Sequence, residues 1–345
     1  MFNKKMLFII AFTVVIIVGA VAFFIGNMVS PGQQKAAPVV DLTDNAYIIY
    51  QKGEELLAKG ESEKAKNTFL AVINQYPGSK YSGEALKRVS SIYLENGDQK
   101  RAVQYYGKLD REYPWVEGTE DIRSRIEAKN MEDMMSRVIG DGSIEYVVQP
   151  GDSLYRISRN NNTTIELLKK INGIQGDVIR VGQKLKVVNA KFSLFIDKAR
   201  NVMVLSKDGE HFKTYIVSTG KNNSTPVGVF KVEEKLVKPV WYSVGAVVSP
   251  ESDEYELGSR WMGISAQGYG IHGTKKEDKM GQQVSLGCIR MRDNEVIELF
   301  DIMPSGTEVE IVDSLEDKIE AEKAAAPVDN AQAEYTTTLA TEEVS

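Results

Sequence analysis

Five positions in the first third of this chain recur at a single offset. Gly60, Ala65, Phe69, Tyr76 and Pro77 return as Gly97, Ala102, Tyr106, Tyr113 and Pro114, each 37 residues later. A repeat of that length with small residues for close helix crossings, an aromatic for the interior and a terminating proline prescribes stacked helical hairpins. Each hairpin buries its apolar face only against a neighbour, so two are marginal alone. The charged stretch from about Glu120 to Arg137 is expected to be a helix that caps them. Arrays of this kind bind proteins or oligomerise, or they serve as a spacer, and the residues leave those readings open.

The unit resembles a tetratricopeptide-like hairpin over 43–137. Beyond Gly140-Asp-Gly-Ser143 the pattern changes. Ile144 to Ile157, Leu167 to Asn172 and Ile179 to Val187 together resemble a LysM module over 144–188. Alternating Tyr146/Val148 and Leu185/Val187 predict a two-stranded sheet backed by two short helices, with Asp152 or Ser153 capping the first. The resemblance implies an N-acetylglucosamine-containing glycan in a groove between Gly151-Asp152-Ser153-Leu154 and the loop carrying Asp177, Val178 and Ile179.

From Phe192 the chain reads as short alternating strands with turn signals between them, which predicts a mainly β, sandwich-like domain. Here lie the one cysteine, Cys288, and one of two histidines, His272, 16 positions before it. A thiolate nucleophile needs a base, and imidazole serves near neutral pH. By residue type alone, a lone cysteine is equally a buried structural residue. Arg290, two residues past Cys288, would share its face in an extended segment.

Tyr269-Gly-Ile-His-Gly-Thr274 followed by Val284-Ser-Leu-Gly-Cys-Ile-Arg-Met291 is similar to the signature of the L,D-transpeptidase (YkuD-like) catalytic domain. Flanking segments extend the likeness to about 191–313: Ser224–Lys231, Pro239–Tyr242, Leu257–Gly263, Asn294–Phe300 and Pro304–Ile311. The resemblance implies Cys288 as nucleophile, His272 as base and the Gly273 carbonyl as the group that orients the base. It also implies substrate contacts from Arg290, Tyr269, Ser285 and Gly287, the last allowing backbone N–H groups close to an oxyanion. Leu286 departs from the polar residue that relatives often carry. No cofactor is expected. One cysteine and two histidines at these spacings make no conventional zinc set. Gly268 to Gly273 fits G-x-G-x-x-G only formally, because no crossover helix follows. His211, after the turn signal Lys207-Asp-Gly-Glu210, is expected at a solvent-facing strand edge without a catalytic role.

Residues 6–26 carry no charge and follow Lys4 and Lys5. That run of 21 is long enough to span a bilayer, with the remainder outside. Residues 1–29 are thus read as a transmembrane signal anchor and 30–42 as a linker. No cysteine stands nearby to carry a lipid. The tail 314–345 holds eight acidic residues and two lysines, a charge of −6 that equals the whole chain's, so the rest is neutral. The tail is expected to start helical and then become disordered. Nothing here invites nucleic acid.

The expected fold is therefore multidomain: an N-terminal transmembrane helix, α-helical repeat hairpins, a small α+β LysM module and a mainly β, sandwich-like catalytic domain. The expected partners are peptidoglycan stem peptides and glycan strands, the membrane through 6–26, and a protein on the repeats. The expected activity is cross-linking of the cell wall outside the membrane. L,D-carboxypeptidase activity, or a non-catalytic wall-binding scaffold, are the alternatives.

Overall fold

The computed structural model describes residues 45–325 apart from 244–245 and 253–254. The predicted span at 6–26, the linker and the end of the acidic tail lie outside the described residues. No helix among the described residues is long and apolar enough to cross a membrane.

The repeat is legible in the backbone. Helices α1 (Asn45–Ala58), α2 (Ser62–Gln75), α3 (Lys80–Glu95) and α4 (Gln99–Glu112) alternate, and α2 and α4 are offset by 37 at both ends. Ala65 and Ala102 are fully buried at the crossings, and Phe69 and Tyr106 fill the interior. Tyr76 and Tyr113 end their helices with nearly identical dihedrals, φ −129° and −136°, ψ 51° and 52°. The helix α5 (Glu120–Met135) packs on α3 and α4 as the expected cap.

The LysM segment folds as β1 (Ser143–Val147), α6 (Leu154–Asn160), α7 (Ile165–Asn172) and β2 (Lys184–Val188), with β1 antiparallel to β2 and Tyr146 opposite Leu185. Ser153 is the cap of α6, its hydroxyl accepting from Arg156 N at 3.1 Å. Val148, Leu154, Ile157, Leu168, Leu185 and Val187 form its small core.

The remaining elements are β3 (Phe192–Asp197), β4 (Val202–Lys207), β5 (Glu210–Ile216), β6 (Thr219–Gly220), β7 (Gly228–Val237), β8 (Trp241–Ser243), β9 (Ala246–Val248), β10 (Arg260–Ile264), β11 (Gly270–Thr274), β12 (Gln283–Ser285), β13 (Ile289–Arg292), α8 (Asp293–Ile302), β14 (Glu308–Val312) and α9 (Leu315–Ala325). Eight of these strands form one hydrogen-bonded order, β13-β11-β10-β7-β14-β3-β4-β5. Ten-residue β7 joins its halves: Gly228–Lys231 pair with β14, and the stretch from Val232 pairs with β10. The catalytic domain is β-rich as expected, its two halves share β7 and one apolar core, and α8 packs on β10, β11 and β13.

These parts share a core. Met134 of α5, Leu167 and Ile171 of α7, and the sheet residues Leu194, Met203, Ile271 and Ile289 belong to one apolar cluster. Polar contacts fasten the same junctions. Thr164 and Lys170 of the LysM segment bond the carbonyl and carboxylate of Asp301 at the end of α8. Lys186 Nζ donates to the carbonyls of Asp133, Met134 and Ser136 at 2.9, 3.2 and 2.9 Å, placing a cation on the C-terminal end of α5.

His211 corrects an expectation. The Lys207-to-Glu210 turn is the predicted two-residue hairpin, with Asp208 and Gly209 both at positive φ. Yet His211 is buried, because α4 and α5 cover the sheet edge. Its ring meets Tyr106 edge-on at 4.8 Å, and Nε2 lies 3.1 Å from Glu127 Oε1. A local turn signal cannot reveal a helix that docks from 80 residues away.

Candidate active site

Strand β11 lies between antiparallel β10 and parallel β13, and the registers align Trp261, His272 and Arg290 in one row. Residues directly opposed on adjacent strands share a face. Cys288, two positions before Arg290, lies just ahead of β13. The Trp261 and His272 rings stack at 5.7 Å with 22° between planes. Cys288 Sγ lies 3.9 Å from Gly268 O.

His272 is buried, and its Nδ1 lies 2.7 Å from Gly273 O. A carbonyl only accepts, so Nδ1 carries the proton and Nε2 keeps the lone pair a base requires. Gly273 has its own constraint. A Cβ there would overlap Asp293 Oδ1 and come within 3.0 Å of Val296 Cγ1 on α8. The helix thereby holds the carbonyl that aims the imidazole.

The turn before Cys288 is braced from below. Ser285 Oγ accepts from Gly287 N at 3.0 Å and donates to Cys288 O at 2.6 Å. Thr225 Oγ1 donates to Gly287 O and accepts from Gly220 N, each at 2.8 Å. Fully buried Lys198 donates to Thr225 O at 2.7 Å and to Asp313 Oδ1 at 2.9 Å. Gly287 has φ +136°, and a Cβ would sit 2.6 Å from Cε1 of Tyr269. Its own N–H is committed to Ser285, so its contribution is conformational rather than as an oxyanion donor. Leu286 points to solvent, 77% exposed.

Burial pulls the His272 imidazole down to about 4, and Arg290 adds to that, while the Gly273 carbonyl and Glu256 oppose it. Burial also pushes the Cys288 thiol up, against the Gly270 backbone N–H and Arg290. Both groups are therefore neutral at pH 7. Such a pair can pass the thiol proton to Nε2 as the sulfur attacks a carbonyl, without a standing thiolate.

Arg290 Nη2 donates to Glu256 Oε2 at 2.9 Å, and Glu256 also takes the Lys276 ammonium. The Lys276 bond, with Arg290 beside it, holds the Glu256 carboxyl below the usual range. Glu256, Thr225 and Lys198 were not singled out by sequence. Only Thr225 lay inside a recognisable segment. Among the described residues no three His, Cys, Asp or Glu side chains group to hold a metal ion.

The LysM positions are placed more variously. Asp152 accepts from Tyr146 OH at 2.9 Å and Gln149 N at 2.8 Å. Leu154 lies in the core and offers a glycan no side-chain surface. Gly151 and Ser153 are exposed beside it, and Ile179 packs against the core. Asp177 pairs with Lys169 at 3.0 Å, and Val178 is exposed.

Fold and site together define a β-rich domain with a cysteine–histidine pair of the kind suited to nucleophilic acyl chemistry. Residues 191–311 match the L,D-transpeptidase catalytic domain, 146–188 the LysM domain and 47–79 a tetratricopeptide repeat. A putative L,D-transpeptidase, YqjB of Bacillus subtilis, is 38% identical over 126 residues, covering 35% of this chain and 70% of the relative. The putative L,D-transpeptidase YkuD of Bacillus licheniformis is 30% identical over 174 residues, covering 48% of this chain and 97% of the relative. An L,D-transpeptidase structure from Mycobacterium smegmatis is similar at 23% identity and a TM-score of 0.32. That match covers 39% of this chain and 64% of that one. The chain belongs to the L,D-transpeptidase family of enzymes.

Proposed function

We infer that this protein is a peptidoglycan L,D-transpeptidase. Cys288 Sγ attacks the carbonyl of the third residue of a donor tetrapeptide stem as its proton passes to His272 Nε2. The tetrahedral intermediate collapses, His272 returns the proton to the leaving amine, and D-alanine departs, leaving a thioester. The side-chain amine of a diamino acid in a neighbouring stem then attacks the thioester, gives its proton to His272 and frees the thiol. The reading rests on one observation above others: His272 stands in register with Arg290, two positions past Cys288, and its Nδ1 is held by Gly273 O.

The LysM domain supports the substrate class, since the two domains together imply peptidoglycan binding. Its contacts with Asp301 on α8 favour a fixed distance between bound glycan and active site, which raises the local concentration of stems. The uncharged run at 6–26 supports a membrane anchor, with the catalytic part outside.

Incubation of the full-length chain in detergent with disaccharide-tetrapeptide, followed by mass spectrometry, tests the reading. Cross-linked dimers are expected, and Cys288→Ala should give none. Tripeptide alone would make the protein an L,D-carboxypeptidase, with water taking the place of the amine. No turnover would leave a wall-binding scaffold.

A further inference from the structure

Arg290 uses only part of its guanidinium. Nη2 bonds Glu256 Oε2, while buried Nε has no hydrogen-bond partner among the described residues. Nε and Nη2 form the side-on edge of the group, the edge that grips a carboxylate through two parallel bonds. Glu256 does not fill that edge because its other oxygen is held by Lys276. A buried donor left without an acceptor is costly, because it has given up water and gained nothing in return. The half-filled edge belongs to a residue level with His272 and two positions past Cys288.

The geometry points to Glu256 as a placeholder carboxylate. It occupies one donor of Arg290. A carboxylate of the incoming donor stem takes the full Nε–Nη2 edge, and Glu256 withdraws onto Lys276. Lys276 is what makes the exchange feasible, because it keeps the displaced carboxylate paired and strands no charge. The exchange also conserves the anion beside Arg290, so the field on the His272 imidazole is little altered by binding. Glu256 and Lys276 thus set the selectivity for anionic donors without touching the reacting atoms. The inference rests on the functional reading above.

Donor consumption by the full chain should be followed with three stems: one with all carboxylates free, one amidated at the diamino acid, and one amidated at the C-terminus. Glu256→Gln is expected to lower KM for the free acid by about threefold, the worth of one partly exposed ion pair, with kcat little changed. Lys276→Met is expected to raise KM, because Glu256 then has nowhere else to go. The amidated stem that loses its sensitivity to Glu256→Gln identifies which carboxylate Arg290 receives. The idea is overturned if Glu256→Gln raises KM, or shifts it equally for all three stems, which is what a structural brace would do. Calorimetric binding of the same stems to Cys288→Ala, with and without Glu256→Gln, separates this outcome from a failed functional reading. Wild type that turns over no stem sinks the reading, whereas a placeholder is overturned if Glu256→Gln does not tighten binding.

Discussion

His272 stands level with Arg290 on the neighbouring parallel strand, so its imidazole has a fixed cation beside it. That cation disfavours the imidazolium and favours the thiolate, yet burial dominates both groups and leaves them neutral. The balance of burial against charge, more than the identity of the residues, decides how Cys288 behaves with pH.

Alkylation of Cys288 reads that balance directly, because the chain has one cysteine. The rate with iodoacetamide should keep climbing past pH 9, since burial raises the thiol. Arg290→Gln removes one thiolate-stabilising charge and should push the profile to still higher pH. A plateau between pH 5 and 8 would instead signal a preformed thiolate–imidazolium pair and refute the neutral pair.

Folding stability should carry the signature of the same histidine. An unfolded imidazole titrates near 6.5, whereas burial holds His272 at about 4. Its depressed value means that the unfolded state binds the proton first as pH falls. The contribution is therefore complete above 6.5 and lost between 6.5 and 4, by roughly 3 kcal/mol in all. Urea denaturation at pH 7.5 and 4.5 should show a smaller loss for His272→Asn than for the wild type. Equal losses in the two proteins would remove His272 as the source.

Gly287 faces two separate obstacles to substitution. Gly287→Ala places a Cβ against Tyr269 and imposes a positive φ on a residue with a side chain. Each is worth about 1 kcal/mol or more. Tyr269→Ala in the same chain relieves only the first. Turnover should fall at least tenfold in Gly287→Ala and stay low in the double variant, measured alongside its Tm. Full rescue would show that the clash alone matters and that the turn geometry does not.

Some of this was written plainly in the chain. The 37-residue offset gave two helices with matching C-terminal ends, because every feature it uses is local: a crossing alanine, a buried aromatic, a final proline. The aligned row Trp261–His272–Arg290 was only half visible. Spacing within a strand put Cys288 and Arg290 on one face, but parallel pairing of β11 with β13 is a tertiary fact. His211 shows the opposite case, where a correct hairpin yielded a wrong environment. Glu256 and Lys198 act through partners 34 and 27 positions away, Arg290 and Thr225, and no motif encodes such a meeting.

Lys186 joins the LysM domain to the last helix of the helical part, which itself enters the core of the catalytic sheet. Its ammonium satisfies three carbonyls at the end of α5, whose Met134 enters the same apolar cluster as the sheet. Lys186→Met keeps the bulk and removes the donors, so a helix end is left buried with unpaired acceptors. The cost should be about 2–3 kcal/mol, in the range for hydrogen bonds from a charged group. If the parts share one cooperative core, the wild type melts in a single calorimetric transition. Lys186→Met should lower that transition and broaden it or split it in two, with the amides of α5 and β2 exchanging hydrogen ahead of those of β11 and β13. Two transitions already in the wild type, untouched by the substitution, would mean that the parts fold independently and that Lys186 joins only their surfaces.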